Sequence, residues 1–242
     1  MSMVPNRRAL WIPASSSRPS LINNLVGYWR LDEASGDAID SSGNGRNLTD
    51  TNTVGSGTGK VAATARDFEL TNAEYFTRAD EAAFEVGTQS YTACGWINLE
   101  STPASTRIIM SKYDISANLG WRLYTDAGNN FAVRMKDAVE INTVTHSTVL
   151  SNGTWYFVAG GWDAAQTKAW ASINAGTREH GSAGTMNLAD ATYSFRIGRE
   201  VNGSAGTYWD GLLEQWGLWI GRLLTDAELA YIYNAGVGRI LF

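Results

Sequence analysis

The sequence predicts an all-β protein of many antiparallel strands with one short C-terminal helix, on three observations. Short runs rich in Val, Ile, Thr, Tyr, Phe and Trp recur between clusters of Gly, Asn, Asp and Ser. Several runs alternate apolar and polar residues, the period of a strand with one dry and one wet face. Helix start and stop signals coincide only near the C-terminus. With 242 residues, 44% of them hydrophobic, the chain suits one large β domain with an ample core.

Residues 1–24 are punctuated by Pro13, Ser15, Ser16, Ser17 and Pro19 and read as an N-terminal arm. Leu10, Trp11, Ile12, Leu21 and Ile22 are costly to leave in water, so the arm is expected to pack on its own domain or on a neighbour. Residues 25–238 read as the domain and 239–242 as a tail. Strands are expected near 26–31, 65–69, 74–78, 90–99, 106–112, 119–125, 130–136, 154–162, 168–174, 193–199 and 211–220. Asp126-Ala-Gly-Asn-Asn130 and Asp163-Ala-Ala-Gln-Thr167 have the length and composition of hairpin loops. Trp121 and Leu123 oppose Arg122 and Tyr124, and Phe131, Val133 and Met135 oppose Ala132, Arg134 and Lys136, so one sheet keeps a polar face. The run 154–160 is apolar on both sides and reads as a central strand. Thr225-Asp-Ala-Glu228 is a capping box, Leu224 and Leu229 are placed as a hydrophobic staple, and Gly236 is the expected stop.

Composition excludes several functions. A net charge of −5, with four Lys among 19 basic residues, offers no field for nucleic acid or anionic lipid. Cys94 is the only cysteine, and His146 and His180 are the only histidines, which leaves little for disulfide, redox or zinc chemistry. The apolar run after Arg8 is short and cut by Pro13, unlike a secretory signal, and no stretch of roughly 18 apolar residues spans a bilayer. The expectation is a chain that stays soluble where it is made.

Four stretches in order carry a family resemblance. They are Gly27-Tyr-Trp-Arg-Leu-Asp-Glu-Ala-Ser-Gly36 with Asp40-Ser-Ser-Gly-Asn-Gly45, then Tyr91-Thr-Ala-Cys-Gly-Trp-Ile97, then Gly153-Thr-Trp-Tyr-Phe-Val158, and finally Tyr208-Trp-Asp-Gly-Leu-Leu-Glu214-Gln-Trp-Gly-Leu-Trp219 running through to Tyr233-Asn-Ala-Gly236. Together they resemble laminin-G-like domains of the concanavalin A-like jelly-roll superfamily. The resemblance implies a two-sheet antiparallel jelly-roll sandwich used mostly for binding and adhesion.

It also implies a structural calcium ion held by Asp40, with Asn44 as an oxygen donor, and by Glu214. Calcium takes hard oxygen ligands, and simple alternation puts Glu214 among Leu212, Trp216, Leu218 and Ile220, where a carboxylate needs a partner. The rival reading is that Glu214 pairs with an Arg or accepts backbone N–H bonds. Catalysis is not expected: glycosidases of the fold carry paired acids on one strand, and no such triplet occurs here. His146 and His180 read as exposed loop residues and Cys94 as a buried, inert thiol. Tyr124 and Trp170, on the polar sides of their strands, and Trp11 in the arm are candidates for glycan or partner contact.

The expected function is therefore non-enzymatic. One reading is a bacteriophage virion surface component, a capsid decoration or tail-fibre adhesin, made in the host cytoplasm and docked on other virion subunits or on its own copies through the arm. The other is a calcium-assisted carbohydrate-binding module.

Overall fold

The computed structural model describes residues 20–188 and 192–242, so Trp11 and most of the expected arm lie outside the described residues. In chain order the strands are β1 Leu25–Trp29, β2 Thr49–Thr51, β3 Gly55–Thr58, β4 Thr64–Phe68, β5 Tyr75–Arg78, β6 Tyr91–Leu99, β7 Arg107–Asp114, β8 Leu119–Thr125, β9 Asn130–Lys136, β10 Ile141–Val149, β11 Trp155–Asp163, β12 Lys168–Ile173, β13 Glu179–His180, β14 Phe195–Ile197 and β15 Gly211–Ile220. They form two antiparallel sheets. The first runs β13-β12-β11-β6-β15-β4-β3, with β1 also paired to β15; the second runs β10-β9-β8-β7-β14-β5-β2. The 154–160 run thus lies in an interior strand, and both expected hairpin loops join neighbouring strands.

Alternating residues of the two sheets meet in one core, which includes Trp29, Phe76, Ile97, Trp121, Leu123, Phe131, Val133, Phe195, Trp216 and Leu218. The sandwich closes tightly enough that Gly95 is needed: a Cβ there would stand 2.4 Å from the Trp216 ring.

A third layer covers the outer face of the first sheet. Cys94, Trp96, Phe157, Trp170 and Trp219 point outward from it and are buried under Leu21, Leu224, Leu229, Ile232 and Leu241. The helix α1, Asp226–Tyr233, supplies Leu229 and Ile232 to this roof, and its capping box forms as expected, Thr225 Oγ1 accepting from the Glu228 amide at 3.2 Å while the Glu228 carboxylate accepts from the Thr225 amide at 2.8 Å. The helix ends at Asn234 in the left-handed region, two residues before the expected Gly236. Trp219 donates to the Leu21 carbonyl at 2.7 Å, and Phe242 meets the Tyr28 ring edge-on at 5.4 Å, so chain at both ends of the domain belongs to the roof. The tail forms no strand.

The strands β2, β3, β10 and β13 were not expected. β10 is an edge strand, Ile-Asn-Thr-Val-Thr-His-Ser-Thr-Val, whose polar residues resemble loop. Among the described residues no helix is long and apolar enough to cross a membrane.

Candidate functional site

Among the described residues the outer face of the second sheet has no helical roof, and its register lines up arginines. Directly paired residues of neighbouring antiparallel strands share a face. Thr143 of β10 pairs with Arg134 of β9, Arg134 with Arg122 of β8, Arg122 with Ser111 of β7, and Ser111 with Arg196 of β14. The residues flanking each arginine, Trp121 and Leu123, Val133 and Met135, Phe195 and Ile197, are all in the core. One transverse row on the opposite face therefore carries Arg134, Arg122 and Arg196.

Aromatic rings and one buried acid hold this row. The Arg122 guanidinium lies between the rings of Tyr113 and Tyr124, at 4.7 and 4.9 Å, and ion-pairs with Glu200, whose side chain is 1% exposed. Arg196 lies over Tyr75 and donates to the Glu200 carbonyl at 3.1 Å. Arg199 lies between Tyr75 and Tyr208 and donates to the Gly203 carbonyl. Arg134 donates to Asn118, which also accepts from the Tyr113 hydroxyl. Burial pushes the Glu200 carboxyl above the ordinary range despite Arg122, and it pushes the Tyr124 hydroxyl up against the opposing charges of Arg122 and Arg134. Among the described residues no carboxylate lies within 4 Å of Arg134, Arg196 or Arg199.

Tyr124 is on this face but 8% exposed, packed with Ile108 and Ala132, so it supports Arg122 more than it offers an open platform. Trp170 is not a contact residue. It is fully buried beneath the helical roof, with Arg178 stacked on its ring at 4.3 Å. Of the polar residues on its side of the strand, Ser172 is itself buried, its hydroxyl donating to the Gly176 carbonyl at 2.8 Å, and Lys168 is half-buried. Trp11 falls outside the described residues.

The residues expected to hold calcium are each taken up by other partners. Asp40 Oδ1 accepts from the amides of Tyr28 and Ser42 at 3.1 and 2.9 Å, and Oδ2 from Arg46 at 2.9 Å. The side-chain amide of Asn44 donates to the carbonyls of Leu25 and Val26. Glu214 accepts from three successive amides, Lys60, Val61 and Ala62, at 2.5–3.1 Å. Glu214 is also not among core residues: Gln215 takes a left-handed φ of 56° in a bulge, which reverses the parity of β15. Leu213, Trp216, Leu218 and Ile220 face the core, and Glu214 faces outward. Each carboxylate is taken up by backbone amides, Asp40 by Tyr28, Ser42 and Arg46 and Glu214 by Lys60, Val61 and Ala62, and the two donor sets share no residue. That chemistry fits a carboxylate clasping backbone and does not fit two halves of one oxygen cage. Burial still raises the Glu214 carboxyl, the three amides opposing it.

Other reactive groups are structural or dispersed. Among the described residues, Asp67, Glu69 and Glu100 bring acidic oxygens within 4.8 Å at one end of β4 and β6, a grouping with no single-run signal in the sequence. His146 lies in β10, 8% exposed, not in an exposed loop; burial lowers its pKa and Glu179 stands 3.6 Å away. Cys94 is buried, which pushes its thiol up and away from reactivity.

Two antiparallel sheets about one core, one outer face roofed and the other polar, define a lectin-type jelly roll. The chain belongs to the concanavalin A-like lectin/glucanases superfamily, a laminin-G-type model of which matches residues 70–230. No curated protein shows significant sequence similarity to it. Among solved structures it is similar to the binding domain of Paraclostridial Mosquitocidal Protein 1, with TM-score 0.70 and 16% identity over 89% of this chain and 53% of that one. It is similar to Domain 4 of AbnA, a GH43 extracellular arabinanase from Geobacillus stearothermophilus, solved with arabinotriose, with TM-score 0.59 and 15% identity over 89% and 98%. It is also similar to the receptor binding domain of botulinum neurotoxin D, with TM-score 0.63 and 11% identity over 90% and 54%. The chain spans about half the length of the mosquitocidal-protein and neurotoxin binding domains. At these identities the likeness is one of fold.

Proposed function

We propose that the protein is a non-catalytic recognition domain that binds carbohydrate on the outer face of its second sheet. The observation that carries this reading is the transverse arginine row, braced by Tyr113, Tyr124 and Tyr75, on the sheet face left without a helical roof. Guanidinium groups offer forked donors to sugar oxygens, and aromatic rings stiffen them at low entropy cost. The titles of the similar structures, which name binding domains and an arabinotriose complex, support the same class. The test is a glycan array followed by titration of the best sugar into the wild type and Arg134→Gln. Binding that falls in the variant at unchanged melting temperature supports the reading, and an array without any bound glycan overturns it.

The finer form of the proposal places this domain on a bacteriophage particle, as a decoration protein or tail adhesin. The order of the laminin-G-like motifs and the apolar Leu10, Trp11 and Ile12 support that setting. Cosedimentation of the chain with purified particles tests it; a chain found only free of particles contradicts it.

A further inference from the structure

The row does more than offer polar contact, because its charges are arranged against their own interest. Arg122 and Arg134 are direct cross-strand partners on one face, an arrangement in which like charges repel. Glu200 neutralises only Arg122 by contact, so Arg134, Arg196 and Arg199 keep their charge without a carboxylate within 4 Å among the described residues. The guanidiniums of Arg122, Arg196 and Arg199 are fixed by stacked rings and by bonds to backbone or side-chain oxygens, and the Nε atoms of all four arginines reach no acceptor among the described residues. A chain whose net charge is −5 has thus gathered four cations on one sheet face. Like charges set side by side, with a carboxylate in contact with only one of them, depart from the local rule, and such departures mark functional surfaces.

Resting on the glycan-binding reading, we infer that this face takes an acidic oligosaccharide, whose carboxylate or sulfate oxyanions are bound by Arg134 and Arg196 on either side of the Arg122–Glu200 pair. Oxyanions are the groups that meet the guanidinium fork with paired, charge-assisted hydrogen bonds. Arg134 and Arg196 stand on strands three spacings apart, roughly 14 Å at about 4.8 Å per spacing. That span suits an extended chain with acid groups on more than one sugar, rather than a monosaccharide. Glu200 acts as a positioning residue: paired to Arg122, it keeps that guanidinium between its two tyrosines and leaves the flanking arginines as the open contacts.

The experiment is calorimetric titration of the full chain with oligogalacturonate, with its fully methyl-esterified form and with a heparin oligosaccharide. The first carries carboxylates, the second is neutral, and the third is largely sulfated. The expected result is binding of at least one acidic probe, weakened at least tenfold by the ester, by 0.5 M salt, and by Arg134→Gln or Arg196→Gln. Arg30→Gln, just past the end of β1 and beside Asp32, is the charge-matched control and leaves binding unchanged. Preference for the carboxylate or the sulfate probe tells which oxyanion the face takes. Equal binding of acid and ester, or binding only of neutral sugars from the array, overturns the inference while leaving the carbohydrate reading standing. Binding of no probe and no array sugar overturns both.

Discussion

Arg122 of β8 and Arg134 of β9 face each other across one antiparallel pair, and only Arg122 has an acidic partner, Glu200. The two arginines should therefore respond oppositely to removal. Arg134→Gln relieves repulsion and is expected to hold or raise stability, by up to about 1 kcal/mol. Arg122→Gln leaves a carboxylate that is 1% exposed without its counter-charge and is expected to cost about 3–5 kcal/mol, a fall of roughly 10 °C in melting temperature. Thermal melts of the two variants check this, and equal losses would contradict the assignment of Glu200 to Arg122.

Trp170 is expected to behave as a core residue. Its ring lies under the helical roof beside Leu224, Leu229 and Ile232. Trp170→Ala should cost about 3–5 kcal/mol, with glycan affinity unchanged in the fraction that remains folded. A well-folded variant that has lost binding would return Trp170 to the contact surface.

Much of the fold was legible because burial and sequence agree where one face of a strand is dry. Trp121 and Leu123 against Arg122 and Tyr124 showed the strand, its inner face and the central arginine of the row at once. The errors came from longer range. Trp170 has polar neighbours at two-residue spacing, and only the packing of a helix more than 50 residues later makes its side dry. Glu214 was assigned to the core by counting, and the count fails at a single bulge on Gln215, a residue with no special preference for left-handed backbone. The complete row escaped notice because Arg196 joins it through the β7–β14 pairing, whose register joins residues 85 or more positions apart.

The amide clasps on Asp40 and Glu214 supply these two carboxylates with donors that need no divalent cation. Chelator is expected to leave the melting temperature unchanged, whereas Glu214→Ala, which frees three amides, should cost about 3 kcal/mol. A chelator-induced fall that vanishes in Asp40→Ala would restore the calcium site.

At the acidic cluster, burial and then the neighbouring Asp210 raise the Asp67 carboxyl above its ordinary value of 3.8. A raised folded value means that the fold prefers the protonated acid. The resulting stability is fully present below about pH 3.8 and is lost as pH rises through the higher folded value. Asp67→Asn should therefore melt roughly 1–2 °C higher than wild type at pH 7, corresponding to about 0.5 kcal/mol. The gap should close as pH falls toward 3.8. A variant less stable than wild type at pH 7 would contradict the repulsion.

The central claim is that recognition resides on the outer face of the second sheet. The most direct measurement is an NMR titration of isotopically labelled protein with the acidic oligosaccharide that binds best. The account predicts that shifted resonances cluster on β7, β8, β9 and β14, at Arg122, Arg134, Arg196 and their neighbours, and that the amides of residues 60–62 and the helix stay still. Shifts centred on the Asp40 loop, the Glu214 clasp or the helical roof would contradict it.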